Sequence, residues 1–189
     1  MSVPAETSNE IPPEAAAVLA FWRDAGPRTW FAKDIAFDKE FTDRFMPLHF
    51  AVAAREHDAW LDNAHASLAL VLLLDQFPRN AFRGTAHMYA TDPLGRYYAR
   101  AMLDAGHIRH IEEELKLFVC VPFSHSEDLH DQMYALELYR KYALHSMKWA
   151  LEHHDIIRRF GRFPHRNAQL GRLGTAEERH FLENGGFAG

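Results

Sequence analysis

Apolar residues recur along most of this chain at three- and four-residue spacing, the pattern of helices that turn one face to a core. Ala15, Val18, Leu19 and Trp22 mark a first helix, opened by Pro12-Pro13 and stopped by Gly26-Pro27. Phe41, Phe45, Leu48 and Val52 mark a second, with Asp38 as its N-cap and Pro47 predicting a kink or a short break. A third, capped by Asn63, is apolar on nearly every side through Leu68-Ala69-Leu70-Val71-Leu72-Leu73-Leu74, so it is the central one. Phe77-Pro78 is expected to stop it, because the residue before a proline disfavours the helical region.

The second half continues in the same way. A short turn is expected at 86–90, and Asp92-Pro93 reads as the N-cap and first residue of a fourth helix that Gly106 ends. A fifth helix is expected over 108–120, closed by Pro122. Ser124 and Glu127 fit a capping box, and the Gly- and Pro-free run that follows is long enough to divide in two near 144–146. Thr175 and Glu178 form a second capping box, opening a short last helix that Gly185-Gly186 ends. No segment alternates with period two. The expected class is all-α, with eight to nine helices in antiparallel pairs, in one domain over residues 13–189 behind a flexible terminus at 1–12.

Composition narrows the picture. The 189 residues are 48% hydrophobic, enough for a real core, and the net charge of −5 argues against a nucleic-acid binder. The single cysteine, Cys120, lies in Phe118-Val119-Cys120-Val121 and reads as a small buried hydrophobe. The terminus lacks the pattern of a secretory signal, and no apolar run reaches the ~18 residues of a membrane span. The expectation is a soluble cytoplasmic protein, monomer or weak homodimer, with no membrane or nucleic-acid partner. The 13 histidines invite a metal reading, but there is no His-Glu-x-x-His motif, and adjacent His153 and His154 point apart on a helix. No metal and no cofactor are expected.

The candidate chemistry gathers at two similar stretches. The central helix ends in Asp75-Gln76-Phe77-Pro78-Arg79-Asn80, and Phe163-Pro164-His165-Arg166-Asn167 echoes it. Asp75 leaves an apolar helix at the negative end of its dipole, so it needs a cationic or hydrogen-bonding partner. Arg79, Arg83, Arg162 and Arg166 are the candidates, since arginine binds carboxylates in bidentate fashion. The same groups serve either as an Asp–Arg staple or as a working site. His125 with Glu127 or Asp131, or either His125 or His165 with Glu127 or Asp75, offers acid–base chemistry near neutrality, although capping also accounts for Glu127, and helix-dipole complementarity for Asp128. The catalytic candidates are therefore Asp75, His125, Glu127 and His165. The ligand-binding candidates are Gln76, Arg79, Asn80, Arg83, Asp128, Arg162, Arg166 and Asn167.

These residues also carry a resemblance. Leu72-Leu73-Leu74-Asp75-Gln76-Phe77-Pro78-Arg79-Asn80, Phe82-Arg83-Gly84-Thr85 and His125-Ser126-Glu127-Asp128 resemble the bacterial family called domain of unknown function 924. So does Arg159-Phe160-Gly161-Arg162-Phe163-Pro164-His165-Arg166-Asn167 with Leu170-Gly171-Arg172, and Phe21-Trp22 with Trp30-Phe31 match the N-terminal signature. The resemblance spans roughly residues 18–183 and departs from the family at His154, where an arginine is expected. It implies a tetratricopeptide-like, right-handed helical superhelix and no particular reaction. Two functions stay open: a binding module that holds a peptide segment or small anionic ligand in a polar groove, or a hydrolase-like enzyme with His/Glu acid–base groups and Arg anion clamps.

Overall fold

The computed structural model describes residues 10–189, and every regular element among them is helical. The expected flexible terminus at 1–12 falls almost wholly outside the described residues. Helices α1 (Pro13–Trp30), α2 (Ile35–Ala53), α3 (Ala64–Val71), α4 (Phe77–Ala81) and α5 (Asp92–Asp104) form the first half. Helices α6 (Leu117–Ser124), α7 (Leu129–Tyr142), α8 (Met147–Phe160) and α9 (Ala176–Glu183) form the second. In the first half α3 lies between α1 and α5, and α2 packs on α4; in the second, α7 packs on both α6 and α8.

Local signals set several boundaries as expected. Asn63 accepts hydrogen bonds from the amides of His65 and Ala66, 3.0 Å each, and so caps α3. Thr175 and Glu178 close their capping box on α9, and the chain breaks at Leu144–Ser146 between α7 and α8. Every residue of α3 from Ala66 to Val71 is buried, as an all-round apolar helix requires.

Other expectations are corrected. The first helix does not stop at Gly26-Pro27; it kinks at Gly26, where φ is 70°, and runs on to the buried Trp30. The N-cap of α2 is Asp34, which accepts from the amides of Ala36 and Phe37, and α2 passes through Pro47 without a break. Thr91, not Asp92, precedes the first residue of α5. The segment 108–116 forms two short 3₁₀ turns instead of a helix, and α6 runs through Pro122 with all its residues buried. Burial on every side outweighs the hydrogen bond that the proline removes. Ser124 closes α6 and does not open α7, whose cap is Asp128.

The most consequential correction lies at Phe77-Pro78. The proline does not end the central helix. Residues Leu72–Gln76 widen into a π turn that joins α3 to α4, with the Phe77 amide bonded to the carbonyl of Leu72, five residues back. Pro78 has no amide to give the Leu74 carbonyl and its ring crowds that group. The wider turn accommodates it and releases two carbonyls to side chains from elsewhere. His49 takes Leu73 O at 2.8 Å, and the Thr91 hydroxyl takes Leu74 O at 2.6 Å. Such π turns occur often at functional sites, and this one carries Asp75 and Gln76.

Candidate functional site

Asp75 is buried at the π turn, where a lone carboxylate would be costly. It is fully supplied. Its Oδ1 meets His125 Nδ1 at 2.8 Å, its Oδ2 accepts from Gln76 Nε2 at 2.6 Å, and Arg79 Nη1 donates to its backbone carbonyl at 2.5 Å. Gly95 brings α5 to contact distance of the same turn: a Cβ there would stand 3.6 Å from Leu74 Cβ. This close approach sets Asp92, in the first turn of α5, opposite Arg79. The two form a bidentate pair at 2.7 and 3.0 Å.

The second stretch arrives at the same carboxylate. Phe163-Pro164-His165-Arg166 bends into a 3₁₀ turn after α8, and Arg166 Nη1 reaches Asp92 Oδ2 at 3.4 Å while its Nη2 donates to the His125 carbonyl at 2.9 Å. The Arg166 guanidinium lies 4.5 Å from the ring centres of both Tyr89 and Phe163. The two similar stretches thus meet, through Arg79 and Arg166, on Asp92.

The electrostatics follow from this packing. Burial works against the Asp75 carboxylate, but Arg79 and then His125 outweigh it and hold its carboxyl well below the usual range. Burial, and then the Arg79 guanidinium, push His125 below its ordinary 6.5 against the opposing pull of Asp75. The pair therefore rests as carboxylate and neutral imidazole at neutral pH. Asp75 fixes the Nδ1 proton, which leaves Nε2 as the basic nitrogen. Nε2 has no hydrogen-bond partner among the described residues, and the His125 side chain keeps 15% of its surface exposed.

Two more imidazoles stand close by. His153 on α8 lies 6.1 Å from His125, ring centre to ring centre, and His165 packs 5.5 Å from Phe163. Burial, followed by His125 and Arg166, takes His153 down to about 3. Burial and Arg166 do the same to His165. Both are neutral, and Nδ1 of each is buried without a partner.

The remaining sequence candidates stand elsewhere. Asn80 and Arg83 turn to Asp38, at 2.7 and 2.6 Å, and lock α4 to α2. Glu127 pairs with Arg172 at 2.6 and 2.9 Å and accepts the Phe163 amide at 2.7 Å, so it belongs to no capping box and does not touch His125. Arg162 and Asn167 both bind Glu178, and Asp128 caps α7. Sequence reasoning missed Asp92 as the shared anchor, because an acidic residue at a helix start already has a local explanation. It likewise missed Asp38 and Arg172 as long-range partners. Among the described residues no three His, Cys, Asp or Glu side chains stand together as a metal-holding group.

Fold and site together define a class: a helical protein in which a buried Asp–His pair is braced by two arginines sharing one aspartate. The chain belongs to the bacterial family of unknown function DUF924, whose model matches residues 18–186. It is similar to a solved structure of a protein of unknown function from Agrobacterium tumefaciens, with 54% identity over 90% of this chain and 97% of that one and a TM-score of 0.88. No curated protein matches the chain. Among the described residues no helix is long and apolar enough to cross a membrane.

Proposed function

We propose that this chain is a hydrolase-like enzyme in which His125, oriented by Asp75, acts as general base on a water molecule. The 2.8 Å bond from His125 Nδ1 to a buried, ionised Asp75 carries this reading, because it fixes the tautomer that leaves Nε2 basic. Gln76 and Arg79 hold the carboxylate in place. Arg166, tied to the His125 backbone, is the donor best positioned to meet negative charge as it develops on the substrate. His165 and His153, neutral at working pH, complete the polar wall.

The charge balance favours acyl over phosphoryl substrates. Arg79 and Arg166 are set against Asp75 and Asp92, and Arg172 against Glu127. A dianionic phosphate would find little net positive charge there, whereas the carbonyl of a small ester or amide needs none. The test is a panel of such esters and amides with purified protein. His125→Gln keeps a donor for Asp75 but lacks the base, so it should fold and lose turnover about 10²- to 10⁴-fold. A folded His125→Gln protein as active as the parent would overturn the assignment.

A second reading, a binding module for a peptide segment, is favoured by the commitment of Arg83, Arg162 and Arg172 to internal carboxylates. On that reading the network frames a groove and does no chemistry. Saturable peptide binding with no turnover across the panel would select it.

A further inference from the structure

Helix α9 ends at Glu183, and the chain then doubles back. Gly185 takes φ +81°, a left-handed conformation suited to glycine. The Gly186 amide bonds to the Phe181 carbonyl at 2.9 Å, and a Cβ on Gly186 would stand 2.6 Å from both that oxygen and the Phe181 ring. Only glycine permits this path. It delivers Phe187 between two imidazoles, at ring-centre distances of 4.8 Å from His153 and 5.1 Å from His165, crossing them at 70° and 76°. Beyond it, a Cβ at Gly189 would lie 3.0 Å from His165 Cδ2. Residues 185–189 therefore lie across the two histidines next to His125.

The fit is good in shape and incomplete in chemistry. Phe187 packs with Ile156, Ile157 and Phe163 in a small apolar cluster separate from the main core. Nδ1 of His153 and Nδ1 of His165 are nonetheless sealed without a partner. A buried polar atom left unsatisfied costs free energy, so a water or ligand group that reaches it is favoured. A phenyl ring gives these nitrogens nothing. A ligand with a ring in the same place and an amide or ester group beside it would give them partners and put its carbonyl near His125.

We propose that Phe187 occupies the aromatic subsite of the ligand, and that the ligand is an amide or ester bearing an aryl side chain, admitted when residues 185–189 swing away. The proposal rests on the Asp75 and His125 pair being the working site. This segment is then a tethered competitor: the apparent affinity of an aryl ligand is its intrinsic affinity reduced by the fraction of molecules with residues 185–189 displaced.

N-acetylphenylalaninamide is the probe, titrated while the imidazole signals of His153 and His165 are followed by NMR. Phe187→Ala empties the subsite, and Gly186→Ala forces the backbone off Phe181 while keeping Phe187 in the chain. Both variants are expected to bind the probe at least about tenfold more tightly than the unaltered protein, and N-acetylalaninamide is expected to bind none of them. In the unaltered protein, saturating probe should move the Phe187 ring signals to solvent-exposed positions. Circular dichroism establishes folding; if Phe187→Ala unfolds, Gly186→Ala and the unaltered protein decide. No gain in a folded variant, equal binding of the alanine probe, or a Phe187 ring undisturbed at saturation overturns the proposal. Hydrolysis of alkyl esters without any gain in aryl binding removes the subsite and leaves the general base standing. Aryl binding without turnover of any ester upholds the subsite and removes the general base.

Discussion

Phe77-Pro78-Arg79-Asn80 and Phe163-Pro164-His165-Arg166-Asn167 share most of their letters, and the fold uses the shared letters alike. Each arginine goes inward to Asp92. Each asparagine goes to a carboxylate that also holds another arginine: Asn80 shares Asp38 with Arg83, and Asn167 shares Glu178 with Arg162. The differences lie in what surrounds them. The first stretch stays helical and carries Asp75 on a π turn, whereas the second is a 3₁₀ turn with an inserted His165. One contributes the carboxylate that holds His125 Nδ1, and the other a half-buried, neutral imidazole whose Nδ1 has no partner. Asparagine and its shared carboxylate make a staple on both sides, and the two stretches diverge in the titratable group each brings to the junction, Asp75 in one and His165 in the other.

The largest effect should come from breaking what they share. Asp92→Ala leaves the buried Arg166 and the half-buried Arg79 without their common partner, and removing one side of a buried ion pair costs about 3–5 kcal/mol. Chemical denaturation should show that loss, while Asp38→Ala, whose partner Arg83 is a third exposed, should cost distinctly less. Equal losses would mean that Asp92 is not the junction.

Asp75→Asn probes the divergence. It removes the charge that orients His125, so any turnover should fall about 10²- to 10⁴-fold, with a far smaller change at Asn80→Ala. On the proposed function, any rate of the unaltered protein should be level near neutrality and fall in acid. The base must be neutral, and His125 titrates below its ordinary 6.5. A rate that rises with acid would reverse the assigned role.

The pH dependence of stability separates the two stretches further. His153 and His165 titrate at about 3 in the folded protein, against 6.5 when free. Between those values the unfolded chain binds the extra protons, so stability should decline as pH falls through that window. His153→Phe should flatten the decline, measured as denaturation midpoint against pH. Glu178, held at about 2 chiefly by its hydrogen bond from Arg162, adds stability that is present above its unfolded value and is lost only toward pH 2. Glu178→Gln should therefore change the profile only below its free value of 4.5 and leave the upper part of the histidine window, from there to 6.5, alone. The smallest effect is expected at the asparagines: Asn167→Ala and Asn80→Ala should each cost about 1 kcal/mol, as single hydrogen bonds do. A large inequality between them would break the parallel.

Much of the architecture was legible because its causes are local. Apolar spacing marked the helices, Asn63 and Thr175 marked two starts, and the strain of one long helix marked the break at 144–146. The site was half legible: Asp75 demanded a partner, and the Arg-Asn echo pointed to where the second half would come from. His125 was found with Glu127, Asp131 and Asp75 all open as its companion, and packing selects Asp75. Glu127 seemed explained as a cap, Asp92 as a helix start and Asp38 as another, and each explanation hid a longer reach.

By itself the sequence determined that this is an all-α chain with a central apolar helix, and it named most of the polar side chains that meet at the π turn. Tertiary structure decided their partners. Pro78 widens a turn instead of ending a helix, because His49 and Thr91 are there to take the carbonyls it frees. Asp92 joins residues as distant in sequence as Arg166 because Gly95 lets α5 lie against the π turn. Spacing within a helix is fixed by 3.6 residues per turn; which carboxylate meets which guanidinium is fixed by how the helices pack.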